Sequence, residues 1–362
     1  MARSFVPFET LWEMAIDTPY SFMVRDDNLA WSCGQLALDK KSQVIGANNI
    51  EKQSYVVCDY ILEILLRADL HIQSVTKLLL YYVDTGKNNR EKMLNIFQER
   101  FGNNVLLVPI IVPHFYYDGI LLEVDTYCDR ADKQHLKQNQ NGVSIKAIST
   151  SSDISVFVEA KANSLDFLFP ELTSFLSDLN VALESVLSEH WFVPSIDLLA
   201  FKNCMTKVRA NLDLGAVISS GKDTDNISGH FILTREGTVS STKTIDTENY
   251  VSLLVRQSDD MTWLQARSLD DKRGTVAQTA DIMQSIQTAI KPLNLSFKDV
   301  VKSTTHYVGG NTAEELHQNM KIRNAYYEKP GPASTGLAVF GFSGYESYIV
   351  IDLTFIEVMM GF

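Results

Sequence analysis

Apolar residues alternate with polar ones in two distant parts of the chain, and the same succession of patterns follows each. Tyr20-Ser21-Phe22-Met23-Val24-Arg25 and Leu29-Ala30-Trp31-Ser32-Cys33-Gly34-Gln35-Leu36-Ala37-Leu38-Asp39 flank the polar turn Asp26-Asp27-Asn28. Tyr250-Val251-Ser252-Leu253-Leu254-Val255-Arg256 and Asp260 to Asp270 flank a second polar turn, and both second runs carry a Trp, Trp31 and Trp263. Two alternating runs around turn residues predict a β-hairpin. Each hairpin is followed by apolar positions at 3.6-residue spacing, which predicts a helix. These are Val56, Val57, Tyr60, Ile61, Ile64 and Leu65 in one case, and Ile282, Met283, Ile286 and Ile290 in the other. A Gln, Gln53 or Gln278, stands near each helix start. A strand with a Lys at the same place comes next, Ile72 to Val83 with Lys77 and Phe297 to Val308 with Lys302. A second helix follows, Arg90 to Phe101 or Thr312 to Tyr327. Two strands close each unit: Val105 to Val112 with Ile120 to Tyr127, and Thr335 to Phe340 with Tyr348 to Val358. The predicted order β-β-α-β-α-β-β thus occurs twice, an α+β pattern.

Between these units the pattern degenerates. Ile154 to Ala160 reads as a strand and Leu172 to Leu187 as an amphipathic helix. Ile196 to Val208 and Ile227 to Thr234 read as further strands, with most of a second helix missing. The polar stretch Arg130 to Asn141 reads as a linker and Gly221 to Asn226 as a loop. The 362 residues then divide into three units of about 120: residues 1–130, 142–240 and 245–362.

Composition narrows the function. Lys+Arg 32 against Asp+Glu 44 leaves a net charge of -12, and basic residues such as Lys40-Lys41 and Lys272-Arg273 occur only in pairs. No nucleic-acid partner is expected, because phosphate binding needs clustered cations. No membrane role is expected either, since apolar runs stop well short of the about 20 residues a spanning helix needs. The first residues lack the apolar core of a signal peptide. The four cysteines (Cys33, Cys58, Cys128 and Cys204) are widely spaced, which points to the cytoplasm rather than a disulfide framework. No P-loop or GxGxxG, and no local HExxH or CxxC ligand spacing, is present, so no cofactor or metal is expected.

The order and spacing of several short strings resemble the RidA/YjgF/RutC-like superfamily. They are Pro19-Tyr20-Ser21, Ser32-Cys33-Gly34-Gln35 and Val75-Thr76-Lys77 in the first unit. In the last unit they are Ala277-Gln278-Thr279, Asp299-Val300-Val301-Lys302 and Pro332-Ala333-Ser334-Thr335. The resemblance spans the greater part of the chain. It implies a chorismate-mutase-like α+β fold, which single-domain members assemble into trimers with ligand clefts at subunit contacts. Three linked units would form an intramolecular pseudo-trimer, leaving the chain a monomer or a low-order homo-oligomer. The resemblance further implies a small, anionic metabolite as substrate, and either hydrolysis of an imine or enamine or the enol-ether chemistry of the related chorismatases. A catalytically inactive binding or scaffold protein is the alternative. The family's carboxylate-binding Arg has no counterpart: its place falls on Ala333 in the last unit and near Asn104 in the first. Its cleft acid corresponds to Glu123, and in the last unit to Asp352 or Val350.

The residues themselves suggest how such a site would work. Glu123 and Asp352 each lie in an apolar strand, where desolvation raises a carboxyl pKa and suits it to proton donation; the plain alternative is that each points to solvent. Cys33 and Gly34 would line a cleft, the glycine allowing close approach, although a buried structural thiol is the commoner case. Cys33 has no neighbouring base to make it a nucleophile. Tyr20 offers a hydroxyl to a ligand or a ring to the core. Arg323 and Tyr326, three apart on one helix face, with Arg267 and Arg256, are candidates for the missing anion clamp; a solvated helix face competes. The turn Lys329 to Gly336 either offers backbone N–H groups and the hydroxyls of Ser334 and Thr335 to an anion or simply connects the last helix to a strand. His306, on an apolar strand, is a packing residue more readily than a base.

Overall fold

In a computed structural model of the protein, placements are described for all residues except 1–2, 15, 87, 151–152, 209–214, 223, 236–238, 260, 270–273, 310–311, 344–346 and 358–362. Asp260, Asp270, the Lys272-Arg273 pair and the expected strand end at Val358 lie outside the described residues. The first stretch runs β1 (Ser4–Pro7), β2 (Ser21–Asp26), β3 (Leu29–Ser32), β4 (Gln35–Leu36), α1 (Ile50–Arg67), β5 (Val75–Tyr82), α2 (Asn89–Phe101), β6 (Leu106–Ile111) and β7 (Leu122–Asp129). The second runs β8 (Gln134–Gln140), β9 (Val143–Ser149), β10 (Asp153–Lys161), α3 (Leu165–Asp178), β11 (Val186–Val193), α4 (Leu198–Val208), β12 (Val217–Ser219) and β13 (Asn226–Thr234). The third runs β14 (Ser240–Asp246), β15 (Val251–Gln257), β16 (Thr262–Ser268), α5 (Thr275–Ile290), β17 (Val300–Tyr307), α6 (Ala313–Asn324), β18 (Ala333–Ala338) and β19 (Ile349–Phe355).

Sequence periodicity located the hairpins β2–β3 and β15–β16 and the helices α1, α2, α5 and α6. The N-termini of α1 and α6 are capped by side chains: Asn49 accepts from the Lys52 N–H at 3.0 Å and Thr312 from the Glu315 N–H at 3.4 Å. Four expectations need correction. Each stretch opens with a further strand, β1, β8 or β14, ahead of the expected hairpin. The polar run Arg130 to Asn141 is no linker, because it contains β8, an edge strand whose outward side chains are necessarily polar. Ile196 to Val208 holds the helix α4, with Phe201 and Met205 buried one turn apart. The helix expected to reach Leu187 ends at Asp178, and its last residues belong to β11.

Strand pairing repeats itself. The order β8-β9-β10-β13-β11-β12 in the six-stranded sheet matches β14-β15-β16-β19-β17-β18 and β1-β2-β3-β7-β5-β6 in the thirteen-stranded one. In all three, the strand between the two helices carries the same irregularity two residues from its start, at Val75/Lys77, Val186/Ser188 and Val300/Lys302. The two outer stretches merge into one sheet where β18 meets β2 at Ala333 and Ser21, with the Ser21 N–H donating to the Pro332 carbonyl at 3.1 Å.

Packing explains why β5 is buried along its whole length. Leu78, Leu80 and Tyr82 face the helix-covered core of the first stretch. Leu79 and Tyr81 face the other way, into a central core shared with Phe157, Phe192 and Leu337. Both faces of these sheets are therefore covered, helices on one side and other sheets on the other. No helix of the described residues is long and apolar enough to cross a membrane.

Candidate functional site

A small cleft of about 50 Å³ lies where the first and third stretches meet. From the first come Tyr20, Cys33, Gly34 and Glu123; from the third come Arg323 and Ser334. These are six of the eleven candidate residues singled out in the sequence. Phe115, Tyr116 and Tyr117 close its side.

The loop after β3 sets the first wall. Trp12 Nε1 donates to Gln35 Oε1 at 3.1 Å, and Gln35 Nε2 donates to the Cys33 carbonyl at 3.0 Å. This fixes the Cys33-Gly34 backbone against β7, whose Leu36-paired residue is Glu123. A side chain at Gly34 would collide with Glu123: a Cβ there would lie 1.7 Å from Glu123 Oε1. Glu123 is buried, and no hydrogen bond to its carboxyl forms among the described residues. Burial pushes its pKa well above the ordinary carboxylate range; Asp125 adds to the rise and Lys302 opposes it. Burial likewise pushes the Cys33 thiol up, away from the thiolate a nucleophile needs.

Arg323 forms the opposite wall. It is no solvated helix residue, being only 2% exposed. Its Nε donates to Asn319 Oδ1 at 3.0 Å and one terminal nitrogen to Thr305 Oγ1 at 2.8 Å. Among the described residues no carboxylate pairs with it. Its guanidinium is thus buried against neutral acceptors, an arrangement that leaves the charge without a counter-ion among the described residues. The Tyr20 hydroxyl is buried beside Ser334 without closing a hydrogen bond of ordinary geometry. Burial is the main cause of its raised pKa, and the Arg323 charge opposes it.

Behind the cleft, Lys302 ties the two stretches together. Its ammonium donates to the Ser32 carbonyl at 2.8 Å and to Thr335 Oγ1 at 2.7 Å, and it pairs with Asp125 Oδ2 at 2.9 Å. Thr335 donates in turn to Asp125 Oδ1 at 2.5 Å. Thr335 is therefore engaged in this strut rather than facing a ligand. Neither Lys302 nor Asp125 was recognised as a partner in the sequence; their shared strand positions are visible only once β7 and β17 are brought together.

Three more candidates lie elsewhere. Tyr326 follows the end of α6 and packs on Phe297, ring centroids 5.1 Å apart, instead of sharing the Arg323 face. Arg267 lies in β16 opposite Val350, outside the cleft. Asp352 faces His190 and His306. Burial works to raise its pKa, but those two imidazoles outweigh it and hold it well below the ordinary range, the wrong direction for a proton donor. Arg256, the further arginine considered, is paired with Glu189 at 2.7 Å.

Strand register explains the Asp352 assignment. Counted from the common irregularity, Glu123 opposite Tyr81 corresponds to Ser228 opposite Phe192 and Val350 opposite His306. Asp352 opposite Thr304 corresponds instead to Asp125 opposite Leu79. The same count puts Leu106, not Asn104, level with Ala333.

No protein-family model and no curated protein matches the chain. Solved structures do match a stretch of it. One is YyfA of the Rid protein family from Yersinia pestis, a protein of unknown function, at 23% identity over 35% of this chain and 99% of that one, TM-score 0.31. Another is a member of the YjgF/YER057c/UK114 family from Mycobacterium tuberculosis, at 19% identity over 35% and 99%, TM-score 0.30. A third is E. coli TdcF with bound serine, at 14% identity over 34% and 100%, TM-score 0.28. About a third of this chain is thus similar to nearly the full length of solved RidA/YjgF/YER057c/UK114-family structures.

Proposed function

We propose that the chain is a small-molecule enzyme that hydrolyses a 2-imino or 2-enamino acid in the cleft between its first and third stretches. The carrying observation is the buried Arg323, without a carboxylate partner among the described residues, lining the same cleft as the buried Glu123. Arg323 would hold the substrate carboxylate through the guanidinium edge left free, replacing the clamp absent at Ala333. Glu123, protonated through burial, would give its proton to the enamine carbon, CH2=C(NH2)–COO⁻, and form the iminium CH3–C(=NH2⁺)–COO⁻. Water would then add to the iminium carbon, with Glu123 taking a proton back. Loss of the amine as NH3 leaves CH3–CO–COO⁻, and solvent protonates the released ammonia. Cys33 and the tyrosines would exclude bulk water.

The three stretches with matching strand order are read as three RidA-like units imitating a trimer within one chain. The matching irregularities and the central core support this reading. Of the three positions level with Glu123, only that one is acidic, which supports a single working cleft.

The test is release of 2-oxobutyrate and ammonia from 2-iminobutyrate generated in place. Release no faster than the spontaneous rate, together with no protection of the chain by 2-oxobutyrate against thermal unfolding, overturns the proposal.

A further inference from the structure

Away from the cleft, two sheets face each other across a cluster that the proposed hydrolysis does not use. His190 comes from β11 in the six-stranded sheet; His306 and Asp352 come from the neighbouring strands β17 and β19 in the other. One ligand-type atom from each lies within 4.8 Å of the other two. His190 Nε2 is 3.2 Å from Asp352 Oδ2, and His306 Nδ1 is 3.5 Å from the same oxygen. All three atoms are buried, and none makes a hydrogen bond of acceptable geometry. Two imidazole nitrogens thus crowd one carboxylate oxygen, at 3.2 and 3.5 Å.

The two nitrogen–oxygen separations, 3.2 and 3.5 Å, are close to the edge length of a metal coordination shell. Ligands about 2.0–2.1 Å from a tetrahedral zinc ion stand about 3.3 Å apart. A two-histidine, one-carboxylate set suits a divalent ion of the zinc class and leaves one position for water. Asp352 is oriented for it: Gln265 Nε2 donates to Oδ1 at 2.8 Å, leaving Oδ2 turned to the histidines. This is how supporting residues orient metal ligands. A space of about 30 Å³ adjoins His190 and Asp352, enough for one water. Two lysines also line it. Lys302 is already paired with Asp125, and Lys77 stands over the Tyr127 ring at 4.3 Å, so neither is bonded to Asp352.

We infer that His190, His306 and Asp352 bind one divalent transition-metal ion, of which zinc is the expected member, pinning the middle sheet to the outer one.

The full chain, stripped with a chelator and then titrated with Zn²⁺, is expected to retain one ion per chain by elemental analysis and to gain thermal stability as Zn²⁺ rises. Co²⁺ loading is expected to give the strong visible absorption of a four-coordinate site. His190→Gln and Asp352→Asn should each weaken Zn²⁺ binding by about 100-fold or more, and Gln265→Leu by about 10–100-fold. The exposed control His71→Gln should change nothing. Absence of a stoichiometric ion in the unmodified chain overturns the inference, and so does binding unchanged in His190→Gln. Because His190 is the most exposed of the three, its variant keeps the test decisive if Asp352→Asn does not fold.

Discussion

Glu123 occupies the space that a side chain on residue 34 would need: a Cβ on Gly34 would lie 1.7 Å from Glu123 Oε1. The glycine and the acid thus form one device. The glycine lets β7 and the loop after β3 approach closely enough to enclose the carboxyl. Gly34→Ala is expected to displace Glu123 and lower kcat by about 10²–10⁴-fold, the range for losing a general acid. Glu123→Gln should do the same. The double variant should be no slower than Glu123→Gln alone, since both changes remove one function. Steady-state kinetics of the three variants with 2-iminobutyrate checks this; additive losses would separate the two residues.

Arg323 lies opposite, and its substitution should act mainly on binding. Arg323→Gln is expected to raise KM by about 10–150-fold, corresponding to a charge-assisted hydrogen bond of about 1.5–3 kcal/mol. Arg323→Lys keeps the charge and loses the fork, and should fall between. An unchanged KM in Arg323→Gln would remove it as the carboxylate clamp.

The raised pKa of Glu123 has consequences of definite sign. Its ordinary value is 4.5, and burial lifts it well above that in the folded chain. Below 4.5 both folded and unfolded states are protonated. As pH rises from there towards the folded value, only the unfolded state loses its proton, so stability falls. Glu123→Gln cannot titrate. Its thermal midpoint should gain on that of the unmodified chain as pH rises through this window. Turnover, which needs the protonated acid, should decline on the alkaline side of the folded value. Parallel melting curves over pH would refute the assignment.

Lys302 and Asp125 connect two stretches of chain far apart in sequence, and both are buried. Removing one partner leaves the other charge without compensation, which costs about 3–5 kcal/mol. Lys302→Met and Asp125→Leu should each lose about that much in denaturant unfolding. The double variant should recover part of it, giving a coupling energy in the double-mutant cycle. Strict additivity would show that the strut is not a coupled unit.

How far the site was legible depended on the kind of information each residue carried. Cys33, Gly34 and Tyr20 sit in short strings with a fixed order and Glu123 in an apolar strand, so a cleft-lining role could be proposed for them, beside a core or solvent position, before any fold was known. Arg323 could be nominated, but not aimed, because helical spacing does not say which face meets another unit. Tyr326 was misplaced for the complementary reason: α6 ends before it, so the two residues share no face. In the middle stretch, α4 was taken for a strand because short apolar runs fit either period until length and partners decide.

The sequence by itself determined most local elements of the two outer stretches. Alternating and 3.6-residue periods report which side of a strand or helix is apolar, and turn and cap residues report where each ends. Tertiary structure alone decided what depends on register between strands distant in the chain. Asp352 falls level with Asp125 rather than Glu123 because its partner Thr304 corresponds to Leu79, two residues before the Tyr81 that faces Glu123. A shift of that size is invisible in composition or spacing. The same holds for His190, His306 and Asp352, which come from two sheets. Nothing local links them, and only the burial of apolar faces against the central core brings them within a few ångströms.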